Sequence, residues 1–221
     1  MNIKYSKKKE ELRKDPVLES LEKARVFIKE NGNRIVTAIV IAVLIFAGFQ
    51  IFTYVRKMSI AKAQDSFGRG MILYANGEMD KAVEAFNLVL ENHGRTSHAA
   101  YGAYMIGYIY LLQENYDNAI SYFEKTLANK KNIGFIRGQS LESLATCYEA
   151  KGDLNKALDY FEKAMEDKTV AYRYPAIKWK MVLINKKLGN NDIVARYCND
   201  LISDTLAVNF KRKAENLLAT M

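Results

Sequence analysis

Alanine at positions 82, 119 and 157 is followed four residues later, each time, by a phenylalanine: Phe86, Phe123 and Phe161. Turn-forming residues precede each alanine, as Asn76-Gly77-Glu78, Glu114-Asn115-Tyr116 and Lys151-Gly152-Asp153. Ahead of the turns stand small residues, Gly70, Gly107 and Ala145, with Leu73, Tyr110 and Tyr148 three positions on. A unit recurring every 37 or 38 residues constrains the fold more than composition does, because one supersecondary element must be built several times. The step of four places alanine and phenylalanine on one helix face, and the small residue lets a second helix approach closely. Two prolines in 221 residues agree with an all-α chain.

These residues resemble the tetratricopeptide repeat, a pair of antiparallel helices about 34 residues long. The copy over 141–165 carries Leu144, Ala145, Tyr148, Gly152, Ala157, Leu158, Phe161 and Ala164. The middle copy carries Ile106, Gly107, Tyr110, Tyr116, Ala119, Phe123 and Leu127. The first departs from the pattern at Arg69, where leucine is usual, and all three lack the terminal proline. The resemblance implies an α-solenoid with three recognisable repeats. A degenerate fourth is expected over Ala171–Ser203, marked by Trp179, Gly189 and Ala195, and a capping helix over Thr205–Met221 with apolar Val208, Leu217 and Leu218 and solvated Lys211, Arg212 and Lys213. No single pair can bury its apolar face alone, so stacking is obligatory.

The resemblance also implies that the first helix of each pair lines a concave groove. Its inward positions are Gln64, Phe67 and Met71 in the first repeat and Tyr101, Tyr104 and Tyr108 in the second. In the third they are Gln139, Glu142 and Thr146. A tyrosine joins a large apolar ring to a polar tip, which suits peptide recognition and suits a packed core equally well. The lysine and asparagine that hold a peptide's terminal carboxylate in chaperone-docking relatives are missing, so a carboxylate clamp is not expected.

Ile35–Val55 is an apolar run of 21 residues with no charge, closed by Arg34 on one side and Arg56-Lys57 on the other. As a helix it spans the roughly 30 Å hydrocarbon core of a bilayer. A cleaved signal has a short basic leader and a briefer apolar stretch, so a retained transmembrane helix is expected despite Ala61–Ala63. The expected organisation is a basic tail over 1–34, a span over 35–55 and the repeat domain over 56–221. Asp15-Pro16 reads as a helix start, with Val17, Leu18, Leu21, Ala24 and Ile28 on one face of a short amphipathic helix ending near Asn31-Gly32. That helix is either an interfacial or docking element or a collar continuous with the span. Short basic tails resist translocation, which places the amino terminus in the cytoplasm and the domain on the other side of the membrane.

The net charge of +8 invites a nucleic-acid reading, but its location excludes it. Residues 1–34 hold 10 Lys/Arg against 6 Asp/Glu, Arg56 and Lys57 add two, and 58–221 are nearly balanced at 21 against 19. The excess lies beside the apolar run, where it meets anionic headgroups. Cys147 and Cys198 sit at inward helical positions and read as buried thiols. His93 and His98 fall after the first repeat and read as solvated loop residues, short of a metal site. No phosphate-binding loop, dinucleotide fingerprint, zinc-protease or nucleophile-elbow motif occurs, so no enzyme, cofactor or small-molecule substrate is expected.

One span, a short basic tail and a repeat domain together resemble the YfgM-like family, inner-membrane proteins ancillary to the Sec translocon. That resemblance implies a periplasmic scaffold whose partners are the translocon, a chaperone or an exported client. A structural subunit of a larger envelope complex, or a tether for a cytosolic factor through residues 1–34, are the other expectations left open.

Overall fold

Nine α-helices and one 3₁₀ helix make up the regular structure of the computed structural model, which describes residues 16–129 and 133–221; no strand occurs among the described residues. Helix α1 covers Pro16–Ala75, α2 Met79–His93, α3 Ser97–Leu112, α4 Tyr116–Ala128 and α5 Ile136–Ala150. Helix α6 covers Leu154–Glu166, and a 3₁₀ segment over Lys168–Arg173 leads into α7, Tyr174–Lys187. Helices α8 and α9 cover Asn191–Ser203 and Val208–Leu218. Two units divide the chain between Lys57 and Met58.

In the first unit α1 runs on without a stop at Asn31-Gly32, so the separate short helix expected there does not form. A lone interior glycine costs a helix about 1 kcal/mol, and even beside Asn31 and Asn33 it does not break a helix in which no proline removes a donor. The helix is continuous with the apolar stretch, and the Asp15 cap lies outside the described residues. It is the one helix among the described residues long and apolar enough to cross a membrane, and Ile39, Phe46 and Phe52 are all exposed on it. Its threonines turn back onto their own helix: the Thr37 hydroxyl donates to the Asn33 carbonyl at 2.8 Å and Thr53 to Gln50 at 2.9 Å. Such bonds spare each hydroxyl any need for water.

The second unit is a stack of four helix pairs with a final cap. The pairs are the end of α1 with α2, α3 with α4, α5 with α6, and α7 with α8. Each turns through a residue in the left-handed region: Gly77 (φ 80°), Glu114 (φ 58°), Gly152 (φ 81°) and Gly189 (φ 76°). The amide of the next residue, Glu78, Asn115, Asp153 or Asn190, donates to the carbonyl of Leu73, Tyr110, Tyr148 or Asn185 at 2.9 Å. This is the Schellman closure, repeated four times. It fixes the register more tightly than residue identity did. The second turn centres on Glu114, and the fourth pair is marked by Val194, not Ala195, with Cys198 where the phenylalanine stands elsewhere.

Ala82, Phe86, Ala119, Phe123, Ala157 and Phe161 are fully buried. Burying one such ring stabilises the fold by about 1.5–3 kcal/mol relative to leaving it exposed. Each phenylalanine lies against the small residue of its own pair's first helix, and a Cβ at Gly70 would stand 2.5 Å from the Phe86 ring. The fourth pair substitutes Val182, Val194 and Cys198, and α9 closes the stack through Ala207, Ala214 and Phe210. Both cysteines are buried and free, as expected. Helix α9 begins at Val208 rather than near Thr205, and Val208 is 75% exposed instead of apolar core. Ala207 and Ala214 take the inward places.

Candidate functional site

Phe67, Tyr104, Glu142 and Trp179 recur, one residue per helix pair, at steps of 37, 38 and 37. The Phe67 ring lies 5.4 Å from Phe86, 6.0 Å from His98 and 6.2 Å from Tyr101. Tyr101 in turn lies 6.4 Å from Phe135, a ring that is nearly half exposed. Met71 is half-buried in the core beside Phe86, and Gln64 is exposed. Tyr104 rests on the core ring of Phe123 at 5.8 Å and stacks on Tyr108 at 6.3 Å with a 17° tilt. Aromatic pairs at these separations are worth about 0.5–1.5 kcal/mol beyond the area they bury. These rings therefore hold the core with one side and present an edge with the other.

Burial pushes the Tyr104 phenol up to about 12, assisted by Tyr108, Glu142 and Tyr172 and opposed by Arg173. At neutral pH it stays a hydroxyl able to donate. Glu142 is nearly buried and accepts from Arg173 Nε at 3.0 Å and Nη2 at 2.6 Å, a two-pronged ion pair from the 3₁₀ segment to α5. One turn on, the Thr146 hydroxyl donates to the Glu142 carbonyl at 3.0 Å and accepts from Lys180 Nζ at 2.9 Å. Gln139 Nε2 donates to the Tyr172 hydroxyl at 3.2 Å. All three positions named on α5 are thus met by residues just ahead of or within α7.

His93 ends α2 and shares a 3.0 Å hydrogen bond with the Ser59 hydroxyl. His98 lies in the first turn of α3, and its buried Nδ1 has no hydrogen-bond partner among the described residues. Neither is the solvated loop residue expected from sequence. The Thr96 hydroxyl accepts from the Ala99 amide at 3.2 Å and starts α3 early enough to draw His98 into it. Arg173, Tyr172, Lys180 and Phe135 were not anticipated. They come from the connections between repeats or from the degenerate fourth, where the periodic markers are silent.

Residues 66–96 and 99–169 each match the tetratricopeptide repeat family. The photosystem I assembly protein Ycf3 of Prochlorococcus marinus is 32% identical over 90 residues, 41% of this chain. This chain spans about half (50%) of that curated relative's length. Among solved structures, MamA from Desulfovibrio magneticus RS-1 is similar at 16% identity and a TM-score of 0.51, covering 68% of this chain and 76% of that one. The kinesin-light-chain TPR-like repeats of Podosopora anserina reach a TM-score of 0.54 at 13% identity, covering 72% and 93%. At such identities the structures speak for the fold alone. The second unit is a tetratricopeptide α-solenoid, a fold that serves as a protein-interaction scaffold.

Proposed function

We propose that this chain is a non-enzymatic scaffold, anchored in the inner membrane by residues 35–55, whose concave face holds a protein partner on the far side from its basic tail. The row of aromatic side chains on the first helices, Phe67, Tyr101, Tyr104 and Tyr108, carries this reading. Their rings are half-buried, each with an edge left for a partner while the phenylalanines behind them complete the core. Translocon, periplasmic chaperone and exported client are the partner classes that the YfgM-like resemblance supplies. A photo-reactive amino acid in place of Tyr104 should crosslink to protein in intact membranes. Crosslinks to lipid alone would overturn the reading. Protease added to spheroplasts should digest the repeat domain and spare residues 1–34; the opposite pattern reverses the orientation.

A second reading is a fixed assembly subunit of a larger membrane complex. The Prochlorococcus relative is a photosystem I assembly protein, which favours an assembly role. Native membrane complexes of constant stoichiometry would favour this reading over transient client holding.

A further inference from the structure

Lys180 is half-buried, and its Nζ has for company one neutral hydroxyl, Thr146 Oγ1 at 2.9 Å, and the Phe161 ring 5.4 Å below it. The neighbouring cations are treated differently. Arg173 is matched by Glu142 and Lys178 by Asp200 at 3.5 Å. No ion pair among the described residues takes up Lys180. Glu142, one turn from Thr146 on α5, is already committed to both prongs of Arg173. An ammonium held in place by a hydroxyl and a ring, with no counter-ion of its own, is positioned to receive a carboxylate from a partner.

The same end of the surface gathers more positive charge. Lys213 of α9 stands over the Trp179 ring at 6.0 Å and the Phe210 ring at 5.4 Å, again with no acidic partner among the described residues. The other end, from Phe67 through Tyr101 to Tyr104 and Tyr108, is built of rings. The concave face is thus apolar toward α1 and α3 and cationic toward α7 and α9.

We propose that the occupant of this face is an extended protein segment that lays apolar side chains on Tyr104 and Tyr108 and sets aspartate or glutamate side chains against Lys180 and Lys213. The proposal rests on the partner-holding reading above and adds the chemistry of the partner. Peptide is favoured over nucleic acid because 58–221 are nearly neutral overall, so the positive charge is a local feature and not a track for a phosphate backbone.

The test is selection of a random peptide library, displayed on phage, against the full chain in detergent micelles. Wild type should enrich sequences with acidic residues beside apolar ones. An enriched peptide, resynthesised with a fluorophore, should bind at least tenfold more weakly to Lys180→Met, which keeps the stem over Phe161. Its analogue with asparagine for aspartate should lose binding equally on wild type and leave the variant unaffected. Enriched sequences without acidic bias that bind wild type and Lys180→Met alike, yet lose affinity on Tyr108→Ala, would overturn the proposal and leave the partner-holding reading standing. No enrichment, or enrichment indifferent to Tyr108→Ala and Lys180→Met together, would overturn both. Displacement of the peptide by a single-stranded oligonucleotide at equal concentration would overturn the choice of a protein partner.

Discussion

Gly107 faces Phe123 so closely that a Cβ on the glycine would lie 2.9 Å from two carbons of the ring. The pair is duplicated one repeat earlier, where the corresponding distance from Gly70 to Phe86 is 2.5 Å. Both rings are fully buried and cannot retreat without opening the next interface. Gly107→Ala should therefore destabilise the domain by about 1–3 kcal/mol despite alanine's better helix propensity, and Gly70→Ala should cost more. Denaturant melts of the two variants give the comparison. Pairing Gly107→Ala with Phe123→Leu should recover part of the loss, and a pair of strictly additive costs would show that the contact is not the cause.

Glu114 is the residue at which one turn departs from the other three. Its φ of 58° lies where Gly77, Gly152 and Gly189 have no side chain to strain. Glu114→Gly should stabilise the chain by about 0.5–1 kcal/mol, the relief of left-handed strain exceeding the entropy the glycine adds to the unfolded state. The converse change, Gly152→Ala, should cost about 1 kcal/mol. A thermal midpoint that falls for Glu114→Gly would refute this account of the turn.

The same turn shows what the sequence could and could not convey. Gly70, Gly107, Phe86, Phe123 and Phe161 were legible because close approach and ring volume leave few alternatives at those positions. The fourth pair was harder to read because burial there needs only apolar volume. Val194 and Cys198 satisfy that requirement without repeating alanine and phenylalanine, and Ala195 stood one place away as a decoy. Conformation is likewise degenerate in sequence, so Glu114 in a glycine's place could not announce itself. Phe67, Tyr104, Glu142 and Thr146 were named only through the repeat resemblance, which places them on the first helices. Their partners Arg173, Tyr172 and Lys180 were not legible, because those contacts span 31 to 34 residues and are fixed by stacking rather than by any local pattern.

Arg173 and Glu142 give a third expectation. Arg173→Ala leaves a nearly buried carboxylate with its two donors removed, whereas Glu142→Gln leaves a neutral amide that can still accept. Arg173→Ala should cost about 1–2 kcal/mol, the exposed guanidinium moderating the loss, and Glu142→Gln less. Equal costs would mean that the pair is held by packing and not by charge.

Cys147 offers a probe of the interface between the second and third pairs. It is fully buried, and burial pushes its thiol up to about 11, with Lys151 acting in the opposite direction. Thiolate is the reactive form, so both access and ionisation slow the reaction. In native protein near neutral pH the thiol should resist a disulfide-exchange reagent, and labelling should follow the unfolding curve as denaturant is raised. Prompt labelling of Cys147 without denaturant would reveal local opening between α4 and α5.

Tyr104 sets the behaviour at high pH. Its phenol is raised from an ordinary 10 to about 12, chiefly by burial, so the folded state prefers the neutral form more than the unfolded state does. The sign follows from linkage: a raised pKa contributes stability that is complete below the unfolded value and disappears as pH climbs through the folded one. Between about pH 10 and 12 the domain should lose up to about 2 kcal/mol at this residue. Tyr74 and Tyr160 are shifted in the same direction, so Tyr104→Phe should make the alkaline decline shallower without abolishing it. Denaturant midpoints measured across that range, with tyrosinate absorbance followed alongside, decide the matter. If wild type and Tyr104→Phe decline in parallel, the Tyr104 hydroxyl is solvated in the fold and the contact with Phe123 and Tyr108 is looser than the structure describes.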